Sequence, residues 1–222
     1  MPKVVDHDAY RLELLERAAP LFVEIGYDSL TTRQLCRHLG VSTGTLYHYF
    51  PSKEKFFEAL ARHWMTQDLS WVRECFENLP PGPERVAEVA CLLQSHRGKF
   101  NTQNHLVLQF CQRQQQLGND LTEFWDGIYQ GWAELTREVL GLRSIFAGLL
   151  LCQVVDGVFM QWIQGGGGCP DLHFLFQRLA RWLPLIDAEE LRFEEACRPL
   201  PPHDAGRPFP TADSPGARLL QP

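Results

Sequence analysis

The sequence predicts an all-α chain in which three short N-terminal helices are followed by a set of longer ones. Three observations carry this. Sustained alternation of apolar and polar residues, the mark of a half-buried strand, is almost absent, while apolar spacings of three and four recur nearly throughout. Glycine and proline punctuation is gathered at Gly26, Gly40, residues 78–83 (NLPPGP) and Gly165 to Gly168, which cuts the chain into helix-sized pieces. A content of 45% hydrophobic and 11% aromatic residues is enough for 222 residues to bury a core.

The first helix is expected over 8–25, with Leu12, Leu15, Ala19 and Phe22 on one face and Gly26 as its stop. Thr32 is expected to cap a second helix that reaches Leu39. Gly40 can take the left-handed backbone of a tight turn, Val41 plugs the inside of that turn, and Ser42 caps a third helix over 43–49 that turns Leu46 inward. Pro51 marks a break, and Ser52 caps a long fourth helix reaching about Phe76.

Four or five further helices are expected. One covers 84–95, with Val86, Val89, Ala90 and Leu93 inward; a Gln-rich one covers 105–117. The next, over 120–140, carries Phe124, Trp125, Ile128, Trp132 and Leu135, and the most apolar one covers 143–164. Beyond the four glycines, Leu172, Leu175, Phe176, Leu179 and Trp182 form a helical stripe, and a short acidic helix covers 187–196. Residues 199–222, rich in Pro, Gly and Asp, read as a disordered tail. The domains are therefore expected at 1–51, 52–198 and 199–222.

Two helices joined by a short glycine-bearing turn make the unit that places its second helix in the DNA major groove. Charge agrees. Residues 31–53 contain no Asp or Glu but carry Arg33, Arg37 and Lys53, in a chain of net charge −6. Residues 1–64 balance eight basic against eight acidic residues, so the acidic excess lies beyond them. Contact with phosphate is thus expected only in the first part of the chain.

The run from Leu12 through Lys53, and above all the block GVSTGTLYHYFPSKE, resembles the N-terminal domain of TetR-family transcriptional regulators. The end of the first helix (Phe22, Gly26, Tyr27) and the Thr that opens the second also match. The resemblance covers about the first quarter of the chain. It implies a homodimer on a palindromic operator in double-stranded DNA. It also implies that Thr32, Arg33, Thr43, Gly44, Thr45, Tyr47, Tyr49 and Lys53 contact DNA, mostly at phosphate. Base readout then falls to Thr43, Gly44, Thr45 and Arg33. The family's usual mode is repression relieved by a small ligand, and activation is the alternative.

For such a ligand the second domain offers His105, Gln109 and Gln112 on one helical face, which fits a solvated face as well as the polar wall of a pocket. Trp125, Tyr129 and Trp132, with Phe110 and Phe159, are either core or the lining of an apolar pocket. Gln153 and Asp156, in the most apolar helix, need partners if buried, across a dimer interface or on an effector. Dimerisation is expected through 143–164 and 170–184.

Other readings are weaker. Seven cysteines show no C-x2-C pair and eight histidines no H-x3-H pair, so no metal or cofactor is expected. The Gly165 to Gly168 run lacks the GK[ST] ending of a phosphate loop, and no nucleophile motif marks an enzyme. The N-terminus lacks the apolar core of a signal peptide, and Gln153, Asp156 and Gln161 interrupt the only stretch near membrane-spanning length, so a cytoplasmic protein is expected.

Overall fold

The computed structural model describes residues 6–78, 81–82, 85–163, 175, 178–179 and 181–186, without the side chains of Ala87, Phe159 and Trp162. The chain runs through α1 (His7–Ile25), α2 (Thr32–Leu39), α3 (Thr43–Tyr49), α4 (Lys53–Phe76), α5 (Val86–Ser95), α6 (Arg97–Gln116), α7 (Thr122–Leu140) and α8 (Ile145–Ile163). Residues 181–186 are also helical, and no strand occurs among the described residues. The expected four-glycine break, the residues Leu172 and Phe176, the acidic helix and the tail at 199–222 lie outside the described residues.

Local chemistry sets the helix ends. Asp6 accepts from the N–H groups of Asp8 and Ala9 to start α1, and Gly26, at φ 85°, ends it. The cap of α2 is Thr31, not Thr32: its backbone is extended and its hydroxyl accepts from Gln34 N–H, while the Gln34 side chain accepts from Thr31 N–H. This reciprocal box leaves Thr32 as the first helical residue, half-buried at the surface. Gly40 takes the left-handed conformation at φ 70° and ψ 29°. Ser42 caps α3 and Ser52 caps α4, as their positions predict. The Gln-rich helix starts at Arg97 rather than 105, because only His96 separates it from α5. Phe100 is the sole large apolar residue of residues 97–104, so the periodic signal there is weak.

Two apolar clusters organise the fold. The first gathers Leu14, Leu15, Ala18 and Phe22 of α1 with Leu35, Leu39, Leu46 and Phe50 around the helix-turn-helix. The face of α1 is therefore rotated from the expected one: Leu12 is 41% exposed, while Leu14 and Ala18 are fully buried. This cluster draws on residues well past position 51, namely Phe56, Phe57, Leu60 and Trp64 of α4, Leu106 and Phe110 of α6, and Phe124 of α7. The second cluster joins Val72 and Phe76 of α4 to α5, the far half of α7, and α8. Leu175, Leu179, Leu183 and Ile186 also pack there, whereas Trp182, expected on that stripe, is 64% exposed. α4 and α7 run through both clusters. At the α7–α8 contact a Cβ on Gly148 would lie 2.5 Å from the Ala133 carbonyl oxygen, so only glycine permits this approach.

No single helix among the described residues is long and apolar enough to cross a membrane; α7 and α8 meet such a test only as a pair bent by 109°.

Candidate functional site

Two places carry chemistry: the face of α2 and α3, and a cavity walled by the later helices. On the first, α1 fixes the helix-turn-helix. The Arg17 guanidinium donates to the Leu39 carbonyl at 2.7 Å, closing the C-terminal end of α2, and His38 Nε2 bonds to the Arg17 carbonyl at 2.9 Å. Neither partner was legible as such, since each bond spans more than twenty residues. Arg11 lies over the Phe50 ring at 4.8 Å, which secures the end of α3.

α3 presents Thr43, Gly44 and Tyr47 to solvent, with Thr45 half-buried. The Thr45 hydroxyl is hydrogen-bonded to Ser42 Oγ at 2.8 Å, and its methyl can still meet a base. A Cβ on Gly44 would meet nothing closer than Ser42 Oγ at 3.7 Å; the fold does not require glycine there. Arg33 is exposed on α2 beside Thr32. A surface hollow lies where α2 and α4 begin, lined among others by Thr31, Thr32, Tyr47, Ser52 and Lys53. The hollow gathers the first residues of two helices, the ends at which backbone N–H groups lack intrahelical acceptors. Tyr47 stands at its edge. Helix N-termini and a lysine suit a phosphate oxygen, while the carboxylates of Asp28 and Glu54, which also line the hollow, oppose one.

Two of the expected contact residues also have structural duties. Lys53 Nζ donates to the carbonyls of Tyr27 at 2.8 Å and Leu30 at 2.9 Å and lies 4.4 Å from the Tyr27 ring centroid. Burial of the ammonium holds its pKa below the usual lysine range, opposed by Glu54 and Asp28. Two of its three N–H donors are thus committed within the fold. Tyr49 packs its ring on Tyr10 at 5.3 Å, and its hydroxyl bonds to His7 Nδ1 at 2.9 Å, so it anchors α3 to the start of α1.

The cavity has a volume of about 160 Å³. Its walls are Ala61, Trp64, Met65, Asp68 and Val72 of α4, Val89, Leu92 and Leu93 of α5, Phe100, Gln103, Asn104 and Val107 of α6, Ile128, Tyr129, Trp132, Leu135, Thr136, Val139 and Leu140 of α7, and Leu151, Cys152, Val155 and Asp156 of α8. Of the expected pocket residues, Tyr129, Trp132 and Asp156 meet here. The others do not. Phe110 is 2% exposed in the first cluster, against Tyr27, Phe57 and Phe124. Trp125 packs on that cluster and stacks on Tyr129 at 5.5 Å. Gln109 accepts from Tyr27 N–H and bonds to His105 at 3.1 Å, and Gln112 and Gln153 are exposed. Phe159's side chain lies outside the described residues.

Asp68, Gln103, Asn104 and Thr136 are wall groups that sequence reasoning missed. Asp68 sits at a core-facing position of α4 but breaks no pattern by itself. Its carboxylate accepts from the Lys99 ammonium of α6. Burial raises its pKa, opposed by Lys99. Asp156 is raised by burial too, opposed by the Tyr129 hydroxyl that donates to it; Gln153 is a second partner of that hydroxyl. Burial pushes the Cys152 thiol up to about 11, so it is not a reactive thiolate at neutral pH. No group of His, Cys, Asp and Glu fit to hold a metal occurs among the described residues.

Residues 14–60 match the family described as bacterial regulatory proteins, tetR family. Over 64 residues the chain is 45% identical to the HTH-type transcriptional repressor Rv1474c of Mycobacterium tuberculosis, which is 28% of this chain and 34% of that protein. The match thus spans about a third of that relative. Two solved structures share the fold over most of the chain. One is the regulator FadR from Bacillus subtilis in complex with stearoyl-CoA, at TM-score 0.51 and 19% identity, covering 78% of this chain and 96% of that one. The other is a regulator from Saccharomonospora viridis in complex with choline, at TM-score 0.57 and 20% identity, covering 80% and 96%.

Proposed function

This chain belongs to the TetR family of bacterial regulatory proteins, and from that premise we propose that it is a cytoplasmic, homodimeric repressor that leaves a palindromic operator when a small, largely apolar effector fills its cavity. Residues 1–51 form the DNA-reading domain in this reading, and 52–198 the effector and dimerisation domain. The observation that carries it is the reach of α4. Its first turn borders the hollow at the DNA face, while Ala61, Trp64, Met65, Asp68 and Val72 line the cavity. Lys53 and Asp68 are about 22 Å apart along the helix axis. A rigid helix that touches both places converts a change in cavity packing into a change in the attitude of α2 and α3.

DNA contact is assigned to Thr32, Arg33, Thr43, Gly44, Thr45 and Tyr47, with Tyr49 and Lys53 acting partly through position. Dimerisation is assigned to the face of α8 and the 181–186 helix, where Ile145, Phe146, Met160, Trp182 and Leu185 are exposed. Apolar side chains of this size, left bare by one copy, suit a second copy. Structures of this fold holding stearoyl-CoA and choline support a cavity that takes an effector.

The test is selection of bound DNA from a random pool, followed by sedimentation of the complex. We expect inverted repeats with half-sites about 34–36 Å apart, or a multiple of a helical turn, bound by an even number of chains. Enrichment of no sequence, or of single half-sites bound by a monomer, would overturn the reading.

A further inference from the structure

We propose that the cavity selects a small organic monocation with an apolar body, seated on the Asp156 carboxylate among the rings of Trp64, Tyr129 and Trp132. This inference rests on the effector reading above and names the chemistry of the occupant.

The argument begins with charge. The titratable side chains among the described wall residues are Asp68, Asp156, Tyr129 and Cys152; no Lys, Arg or His is among them. Every one of these is an acid. Asp68 already has a counter-charge in Lys99. Among the described residues the partners given to Asp156 are neutral, the Tyr129 hydroxyl with Gln153 beside it. A carboxylate inside an apolar cavity without a cation is costly, and it is relieved by a proton or by a positive ligand. A ligand anion would meet two carboxylates and find no basic side chain on the described walls.

The walls next decide what kind of cation. A hard metal ion wants six or more oxygen ligands, which this mostly apolar lining does not provide. An organic cation suits it, since aromatic faces attract positive charge and the remaining surface is Leu, Val, Ile and Met. The volume of about 160 Å³ bounds the size. A cavity of about 150 Å³ lined by apolar side chains admits benzene, so the body is about one ring, with a methylated or primary ammonium attached.

The experiment uses the full chain and three probes of matched size: benzyltrimethylammonium, its neutral carbon counterpart neopentylbenzene, and phenylacetate as the anion. Affinities are read by tryptophan fluorescence and calorimetry for the unaltered protein, Asp156→Asn and Asp68→Asn. Asparagine preserves a hydrogen bond to Tyr129 and removes a buried charge, so Asp156→Asn folds at least as well as the parent. We expect the cation to bind at least 10-fold tighter than the neutral probe, and the anion not to bind. We expect Asp156→Asn to weaken the cation at least 10-fold, leave the neutral probe within about twofold, and exceed the effect of Asp68→Asn. Equal binding of cation and neutral probe, or an unchanged cation affinity in Asp156→Asn, overturns the charge selection while leaving an apolar effector in place. Binding of none of the probes overturns it as well. Cation binding as expected with no change in operator affinity upholds the site and removes the effector-controlled reading instead.

Discussion

The side-chain carbonyl of Gln109 accepts the backbone N–H of Tyr27 at 3.0 Å, joining α6 to the turn that ends α1 across 82 positions of sequence. The same Tyr27 offers its carbonyl to Lys53 Nζ and its hydroxyl to Gln114 Nε2. One residue therefore ties together the end of α1, the start of α4 and the middle of α6. One stretch of α6 also reaches the cavity, through Gln103, Asn104 and Val107.

Because Tyr27 N–H needs an acceptor, the effect of substitution at 109 depends on whether one is kept. Gln109→Ala is expected to lower stability by about 1 kcal/mol, the cost of a lost hydrogen bond at a part-buried donor. Gln109→Glu keeps an acceptor and is expected to lose less. Urea unfolding measures both. Equal losses for the two variants would show that the bond contributes nothing specific.

Gly44 separates folding from recognition. An added methyl has room in the fold, at 3.7 Å from Ser42 Oγ, and alanine is the better helix former by about 1 kcal/mol. Gly44→Ala is thus expected to unfold at an equal or higher temperature and to bind its operator at least 10-fold more weakly. An unchanged operator affinity would move the close approach of DNA away from this end of α3.

Lys53 should show a mixed phenotype. Lys53→Ala removes two charged hydrogen bonds to carbonyls and is expected to cost about 1–2 kcal/mol of stability, as part of the group is open to water. It should weaken binding to all DNA sequences alike and flatten the salt dependence by about one unit. A stability loss with an unaltered salt slope would confine Lys53 to its structural duty.

Gly148 is a position of enforced closeness. A methyl there would sit 2.5 Å from the Ala133 carbonyl oxygen, backbone that cannot swing away. Gly148→Ala is expected to destabilise by about 1–3 kcal/mol despite its better helix propensity. Chemical denaturation decides this, and a neutral or stabilising result would mean that α7 and α8 slide apart at little cost.

The division between what could be read in the chain and what could not follows the range of the interactions. Helix boundaries at Gly26, Gly40, Ser42, Ser52 and Leu140 were legible because caps, left-handed glycines and apolar period act within one or two turns. The acid-free window around α2 and α3 was legible because charge counts need no partner. A choice such as Leu12 against Leu14 as the buried face of α1 depended on what packs opposite, whereas Thr31 against Thr32 as cap was decided locally, by Gln34 three residues after Thr31. The duties of Gln109, Lys53 and Tyr49 were not legible at all, since their partners lie 82, 26 and 42 residues away. The cavity is the same case. Tyr129, Trp132 and Asp156 were named from one helix pair, while Trp64 and Asp68 joined them only because α4 runs past the same space. An aromatic stripe on a lone helix is core or pocket wall alike; the tertiary structure decides by whether neighbouring side chains fill the volume in front of it.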